Sequence, residues 1–203
     1  MKRLIFGGAF AAVAAAAALV VPSAASALTY TSYLEYKNSD PTTKVDPFGV
    51  VTLTEGTDYV DVVVHLFDPQ VGFVNTGAQN QNKNKAPFSF NLTGDYDVTI
   101  FNDVPAGQEF YDGGFGSFEN SPFGDFTNII GCCGNQQGGG AYDPTDLRFR
   151  VSFTGLTFAG EGALIDENGK LVGLGTGPHF LSNDGGWWFA GDVVTSTGST
   201  FSV

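Results

Sequence analysis

From residue 28 onward, apolar and polar positions alternate and are interrupted at short intervals by Gly, Pro, Asn and Asp, with no stretch repeating at the spacing of a helix face. Such alternation marks strands that bury one side, so the chain is predicted to be all-β. Tyr30 to Tyr36 forms the first expected strand. Residues 38–47 contain the steps Asp40-Pro41 and Asp46-Pro47 and read as a loop. Phe48 to Thr54 and Tyr59 to Phe67 then form a predicted hairpin bent at Glu55 to Asp58. In its second strand Val60, Val62, Val64 and Leu66 share the face expected to enter the core, and Tyr59, Asp61, Val63 and His65 share the other.

The same reading continues along the chain. Residues 72–77 form an apolar stretch that ends at a turn, and residues 79–85 are an unbroken run of Asn, Gln and Lys, which predicts an exposed loop. Phe88 to Leu92 and Tyr96 to Asn102 look like a hairpin around Thr93, Gly94 and Asp95. Phe115, Phe118, Phe123 and Phe126 punctuate a Gly-rich stretch with strand character. Leu147 to Phe153 alternates cleanly, Ala163 to Val172 suggests a hairpin bent at Asp166 to Gly169, and Gly186 to Val194 and Ser199 to Val203 complete the pattern. Around eight to ten short strands predict a single β-sandwich, jelly-roll-like, over residues 28–203.

The first residues follow a different rule. Lys2 and Arg3 precede an apolar run from Leu4 to Val21, then Pro22, and Ala25, Ser26 and Ala27 close the segment. That order predicts a cleaved signal peptide over residues 1–27 and a secreted product that starts at Leu28, in the periplasm, on the cell surface or outside the cell. The run is mostly Ala and Gly, which partition into lipid less well than Leu or Ile, so a retained anchor is the weaker reading. No later segment is apolar and long enough to span a bilayer, and none is expected to hold the mature chain in the membrane.

Composition narrows the partners. The chain has 9 Lys and Arg against 21 Asp and Glu, a net charge of −12, and loss of the signal would make it more acidic still. Such a surface repels phosphate backbones, which argues against nucleic acid as a partner. Two cysteines are present, the neighbours Cys132 and Cys133. They cannot staple a fold as separated pairs do. Three states remain open for them: a strained vicinal disulfide, a bond to another chain, or two free thiols.

Candidate chemistry is sparse. His65 and Asp61 share a strand face but lie roughly 13 Å apart, beyond hydrogen-bonding reach, and His65 reads as a half-exposed strand residue. His179, with Asp184 just beyond it, reads as part of a turn. Glu35, Glu109, Glu119 and Glu161 are scattered, which singles out no carboxylate pair for glycoside hydrolysis. Asp143 with Asp146 offers oxygen ligands of the kind calcium prefers, although Asx-turns explain the same residues. No catalytic residue and no resident cofactor are assigned, calcium being the one candidate ion. The strongest binding candidates are Asn183, Asp184, Trp187 and Trp188. If Trp187 and Trp188 lie on a strand, one indole enters the core and the other faces outward. An exposed indole beside amide and carboxylate groups suits a sugar, stacking on its ring while the polar neighbours take hydroxyls.

Residues 51–54 (VTLT) with 59–64 (YVDVVV), 71–77 (VGFVNTG), 88–94 (FSFNLTG), 114–118 (GFGSF) and 185–193 (GGWWFAGDV) together resemble the exported domain of PEP-CTERM-sorted bacterial exoproteins. The C-terminal Pro-Glu-Pro motif, apolar helix and basic tail of that group are missing from this sequence. The resemblance implies association with the envelope or an exopolysaccharide matrix, without an established activity, and it supplies no catalytic residues. The expected function is therefore that of a non-enzymatic extracellular matrix, surface or adhesion-type protein, partnered by polysaccharide or cell-surface components. The alternative is a carbohydrate-binding module built on an exposed Trp, and a hydrolase using His65 or His179 ranks behind both.

Overall fold

The computed structural model describes residues 29–37, 39–40, 42–56, 58–74, 86–92, 96–103, 109–132, 146–152 and 180–203. The signal peptide expected over residues 1–27, residues 79–85, the hairpin expected at Ala163 to Val172, and Asp143, Cys133 and His179 lie outside them. Among the described residues every regular element is a strand, and no helix is long and apolar enough to cross a membrane.

One antiparallel sheet contains β1 (Thr29–Leu34), β2 (Gly49–Glu55), β3 (Tyr59–Leu66), β9 (Leu147–Ser152) and β6 (Asp97–Ile100), in the order β1-β2-β3-β9-β6. The β2–β3 hairpin forms as the sequence predicts, with Glu55 opposite Val60. Val60, Val62, Val64 and Leu66 are buried, and the alternate residues of β3 are not. Leu147, Phe149 and Val151 of β9 line the same inner face.

A second sheet has β5 (Phe88–Leu92) near its centre. β8 (Asp125–Gly131) pairs with it, β7 (Tyr111–Glu119) pairs with β8, and the short β10 (Phe180–Leu181) and β11 (Phe189–Ala190) also pair with β5. A small third sheet joins β4 (Val71–Phe73), β12 (Asp192–Thr195) and β13 (Thr200–Ser202). These thirteen strands exceed the expected eight to ten because several are only two or three residues long.

The first two sheets meet through phenylalanines. Phe90 of β5 stacks on Phe149 of β9 with ring centroids 5.3 Å apart, and Phe88 lies 6.0 Å from the same ring. One apolar cluster runs from Val51, Val62 and Phe149 to Phe88, Phe90 and Phe189, giving a sandwich-like core. The burial of β5 explains a departure from the sequence reading. All five of its residues are buried, whereas β6 alternates between exposed and half-buried positions. The two strands do not form the expected hairpin: β5 pairs with β8, and β6 crosses to the first sheet and pairs with β9.

Glu55, at the end of β2, carries a buried carboxylate oxygen without a hydrogen-bond partner. Desolvation raises its pKa from the ordinary value of 4.5. Above the raised value the group is charged in both folded and unfolded states, and folding bears the full desolvation cost. Below 4.5 both states are protonated and that cost disappears. Glu55→Gln is therefore expected to raise the melting temperature at pH 7, and the gain should fade as pH falls through the acidic range. The group keeps part of its hydration, so the gain is small, about 1–2 °C. Paired thermal melts at pH 7 and pH 4 would check this, and an equal gain at both would contradict it.

Candidate functional site

β10 and β11 run in the same direction along β5 and meet adjacent pairs of it, with Leu181 opposite Asn91 and Phe189 opposite Phe90. Residues 182–188 therefore leave the sheet as a loop. This corrects the expectation that Trp187 and Trp188 lie on a strand. β11 starts only at Phe189, after Gly186 has turned the chain at φ +83°, a left-handed conformation that favours glycine. Both indoles are consequently half-buried, instead of one lying inside and the other outside.

Asn183 holds this loop together. Its backbone N–H donates to Trp187 O at 2.8 Å, and its carbonyl accepts from Gly186 N at 2.9 Å. Its side-chain Oδ1 accepts from Gly185 N and Trp187 N, each at 3.0 Å, while Nδ2 donates to Phe123 O at 2.7 Å. Asn183, expected as a ligand contact, is the frame of this loop, with its amide committed to the backbone on both sides, and it also lines the hollow that Asp184 borders.

Trp187 is held edge-on between two rings, Tyr36 at 4.9 Å and Phe123 at 5.2 Å. It joins the satellite cluster of Phe123, Phe126 and Ala190, whereas Trp188 packs against the main core. A Cβ at Gly185 would lie 2.9 Å from Trp187 Cδ1, so the loop needs glycine there to keep the indole in place.

The two tryptophans form one wall of a cleft of about 370 Å³, and β1 with the residues just after it forms the other. Tyr30, Glu35, Tyr36 and Phe123 contribute to its lining. Lys44 reaches the same corner. Its ammonium donates to Glu35 Oε1 and lies 5.7 Å from the Tyr36 ring centroid. The bond to Glu35 raises the lysine pKa. Asp184 is not part of this cleft. It is exposed at the loop tip and lines a separate hollow of about 480 Å³ with Asn91, Asp125, Thr127 and Ser182. The four residues expected to act together thus divide into an aromatic flank, a frame and a polar flank.

The remaining candidates fall elsewhere. His65 lies on the outer face of the first sheet, with Nδ1 2.7 Å from Asp146 Oδ1. A carboxylate only accepts, so Nδ1 carries the proton. Asp146 Oδ2 takes Arg148 Nη2 at 3.3 Å. Asp61 is engaged by Arg150, through Nε at 2.6 Å and Nη2 at 2.8 Å. Among the described residues the hydrogen-bond and ring partners of the His65 side chain are Asp146 and Phe67, neither of them a hydroxyl or a thiol. Asp146, expected with Asp143 as a calcium ligand, has both oxygens occupied by N–H donors, and among the described residues no three His, Cys, Asp or Glu gather to hold a metal. Cys132 is fully buried, belongs to the core and is disulfide-bonded, which removes the free-thiol reading.

Sequence reasoning missed Glu35, Tyr36 and Lys44 as partners of the Trp loop. Nothing local marks them, because the sheet topology alone brings the end of β1 against a loop near the other end of the sequence. No family model, curated protein or solved structure matches the chain.

Proposed function

We propose that this chain is an exported, non-enzymatic protein of a bacterial extracellular matrix or cell surface, and that it binds polysaccharide in the cleft between β1 and the 182–188 loop. The observation that carries this reading is the cleft itself, whose Trp187 is fixed edge-on by Tyr36 and Phe123 before any ligand arrives. A fixed aromatic wall loses little freedom on binding, and its apolar surface suits the C–H face of a sugar ring. Glu35, Thr31 and Ser32 line the opposite wall and offer oxygens to hydroxyl groups. The volume accommodates one or two sugar rings, within the usual range for small-ligand sites of roughly 300–1,000 Å³. The signal-like N-terminus, the acidic composition and the resemblance to PEP-CTERM-sorted exoproteins favour an extracellular polysaccharide over nucleic acid.

A glycan array probed with the purified protein tests the proposal. Binding is expected to at least one polysaccharide class, with a loss of about 50-fold or more on Trp187→Ala and about tenfold on Trp188→Ala. Binding that survives both substitutions would remove the cleft from the account. Turnover of a glycan, ester or peptide substrate, abolished by a single point mutation, would overturn the non-enzymatic part.

A further inference from the structure

A cation sits beside one corner of the cleft, on two residues that line it, Glu35 and Tyr36. Glu35 and Tyr36 follow β1 in sequence, and the backbone bond from Val45 N to Glu35 O, 2.8 Å long, brings the neighbouring Lys44 over them. The approach is built into the turn before it. Asp40 N donates to Lys37 O at 2.9 Å, and Asp40 Oδ1 accepts both Thr42 N at 3.0 Å and Thr42 Oγ1 at 2.7 Å. The Lys44 ammonium thereby bonds a carboxylate and lies near an aromatic ring at once. Carboxylate with aromatic face is the pairing that recognises ammonium groups.

The lysine side chain is nevertheless 62% exposed, against 25% for Glu35. Glu35 is a residue of the cleft wall, while its partner, which is not, comes from solvent on a flexible stem. Exposed ion pairs of this kind are weak, so the occupant is easily exchanged. Tyr36 also touches Trp187, which places the cation corner directly beside the aromatic wall.

We infer that the Glu35–Tyr36 corner is an ammonium subsite, occupied by Lys44 in the free protein and taken over by the free amine of a hexosamine residue when a partly or fully deacetylated amino-sugar polymer binds along Trp187. This deepens the glycan-binding reading and rests on it. The sugar ring stacks on the indole, its amine replaces Lys44 on Glu35, and the lysine swings into water. The negative net charge of the chain favours the same ligand and opposes uronic or sulfated sugars.

Titration calorimetry at low salt with a short glucosamine oligomer and its N-acetylated counterpart tests the subsite. The amine form is expected to bind about tenfold more tightly. Lys44→Ala removes the internal competitor and should tighten amine binding about two- to fivefold. Glu35→Gln keeps the shape and removes the charge, and should erase the preference for the amine. A preference that survives Glu35→Gln would show mere attraction between an acidic protein and a polycation, and would overturn the subsite. Weaker or unchanged amine binding in Lys44→Ala would overturn it as well. If both oligomers bind equally and Trp187→Ala removes both, the cleft binds glycans and only this inference fails. If neither oligomer binds, the inference fails, and the broader reading then stands or falls on the glycan array.

Discussion

Asn183→Ala is expected to abolish glycan binding at the cleft while the sandwich stays folded. The substitution removes the acceptor of Gly185 N and Trp187 N and the donor to Phe123 O, three bonds that no alanine can replace. At about 1 kcal/mol each, they represent about 2–3 kcal/mol of local order. The loss falls on a segment outside the sheet, since Leu181 and Phe189 keep their own pairing with β5. Freed from its frame, Trp187 leaves the gap between Tyr36 and Phe123, and affinity should drop by about 50-fold or more. Calorimetry with the best array ligand would measure this, and tryptophan emission should shift to the red as the indole enters water. Asn183→Asp retains the acceptor but turns a second oxygen toward the Phe123 carbonyl, so an intermediate loss is expected. Full affinity in Asn183→Ala would mean that the loop does not need this frame.

The second large effect concerns the core. Phe90→Ala is expected to cost about 3–5 kcal/mol, because the ring is fully buried and its removal leaves a cavity between the sheets. Phe149, Phe88 and Phe180 surround it, with centroids at 5.3, 5.9 and 5.8 Å. The melting temperature should fall by roughly 10–15 °C. Phe115→Ala is the comparison. That ring is 71% exposed on β7, at the edge of the second sheet, where the register to β8 shifts twice. Its loss should change stability by less than about 0.5 kcal/mol. Equal costs in urea unfolding of the two variants would be incompatible with a core between the sheets.

The parts of the fold that could be read from the sequence are those set by local rules. Alternation in β3 identified its buried face, and the Glu55-to-Asp58 bend made its pairing with β2 a neighbour relation. The same habit failed at residues 88–102, where a short connection suggested a hairpin although the chain changes sheets. Phe88, Phe90 and Leu92 alternate with Ser89 and Asn91, which looks like a strand with one wet face. In fact Ser89 is buried beside Asn120, and Asn91 accepts Thr127 N, so both polar residues are satisfied inside. Alternation reports polarity, and a buried polar residue with a partner imitates an exposed one. The Trp pair could be recognised as a feature but not placed, because adjacent aromatic residues look the same in a strand and in a loop between two strand fragments. The Asp146 partner of His65 and the Glu35–Lys44 corner are long-range or loop-borne contacts, for which the sequence carries no local signal.

The way β10 and β11 share β5 has a consequence for how such a protein diversifies. The segment between them enters and leaves the sheet at adjacent pairs, so residues added to or removed from it shift no strand relative to its neighbours. Apart from the two indoles that pack inward, the core lies on one side of that junction, and on the proposed reading ligand choice lies on the other. Selection, or a designer, can therefore rewrite the loop as a cassette, exchanging one recognition surface for another while the phenylalanine core underneath keeps its sequence.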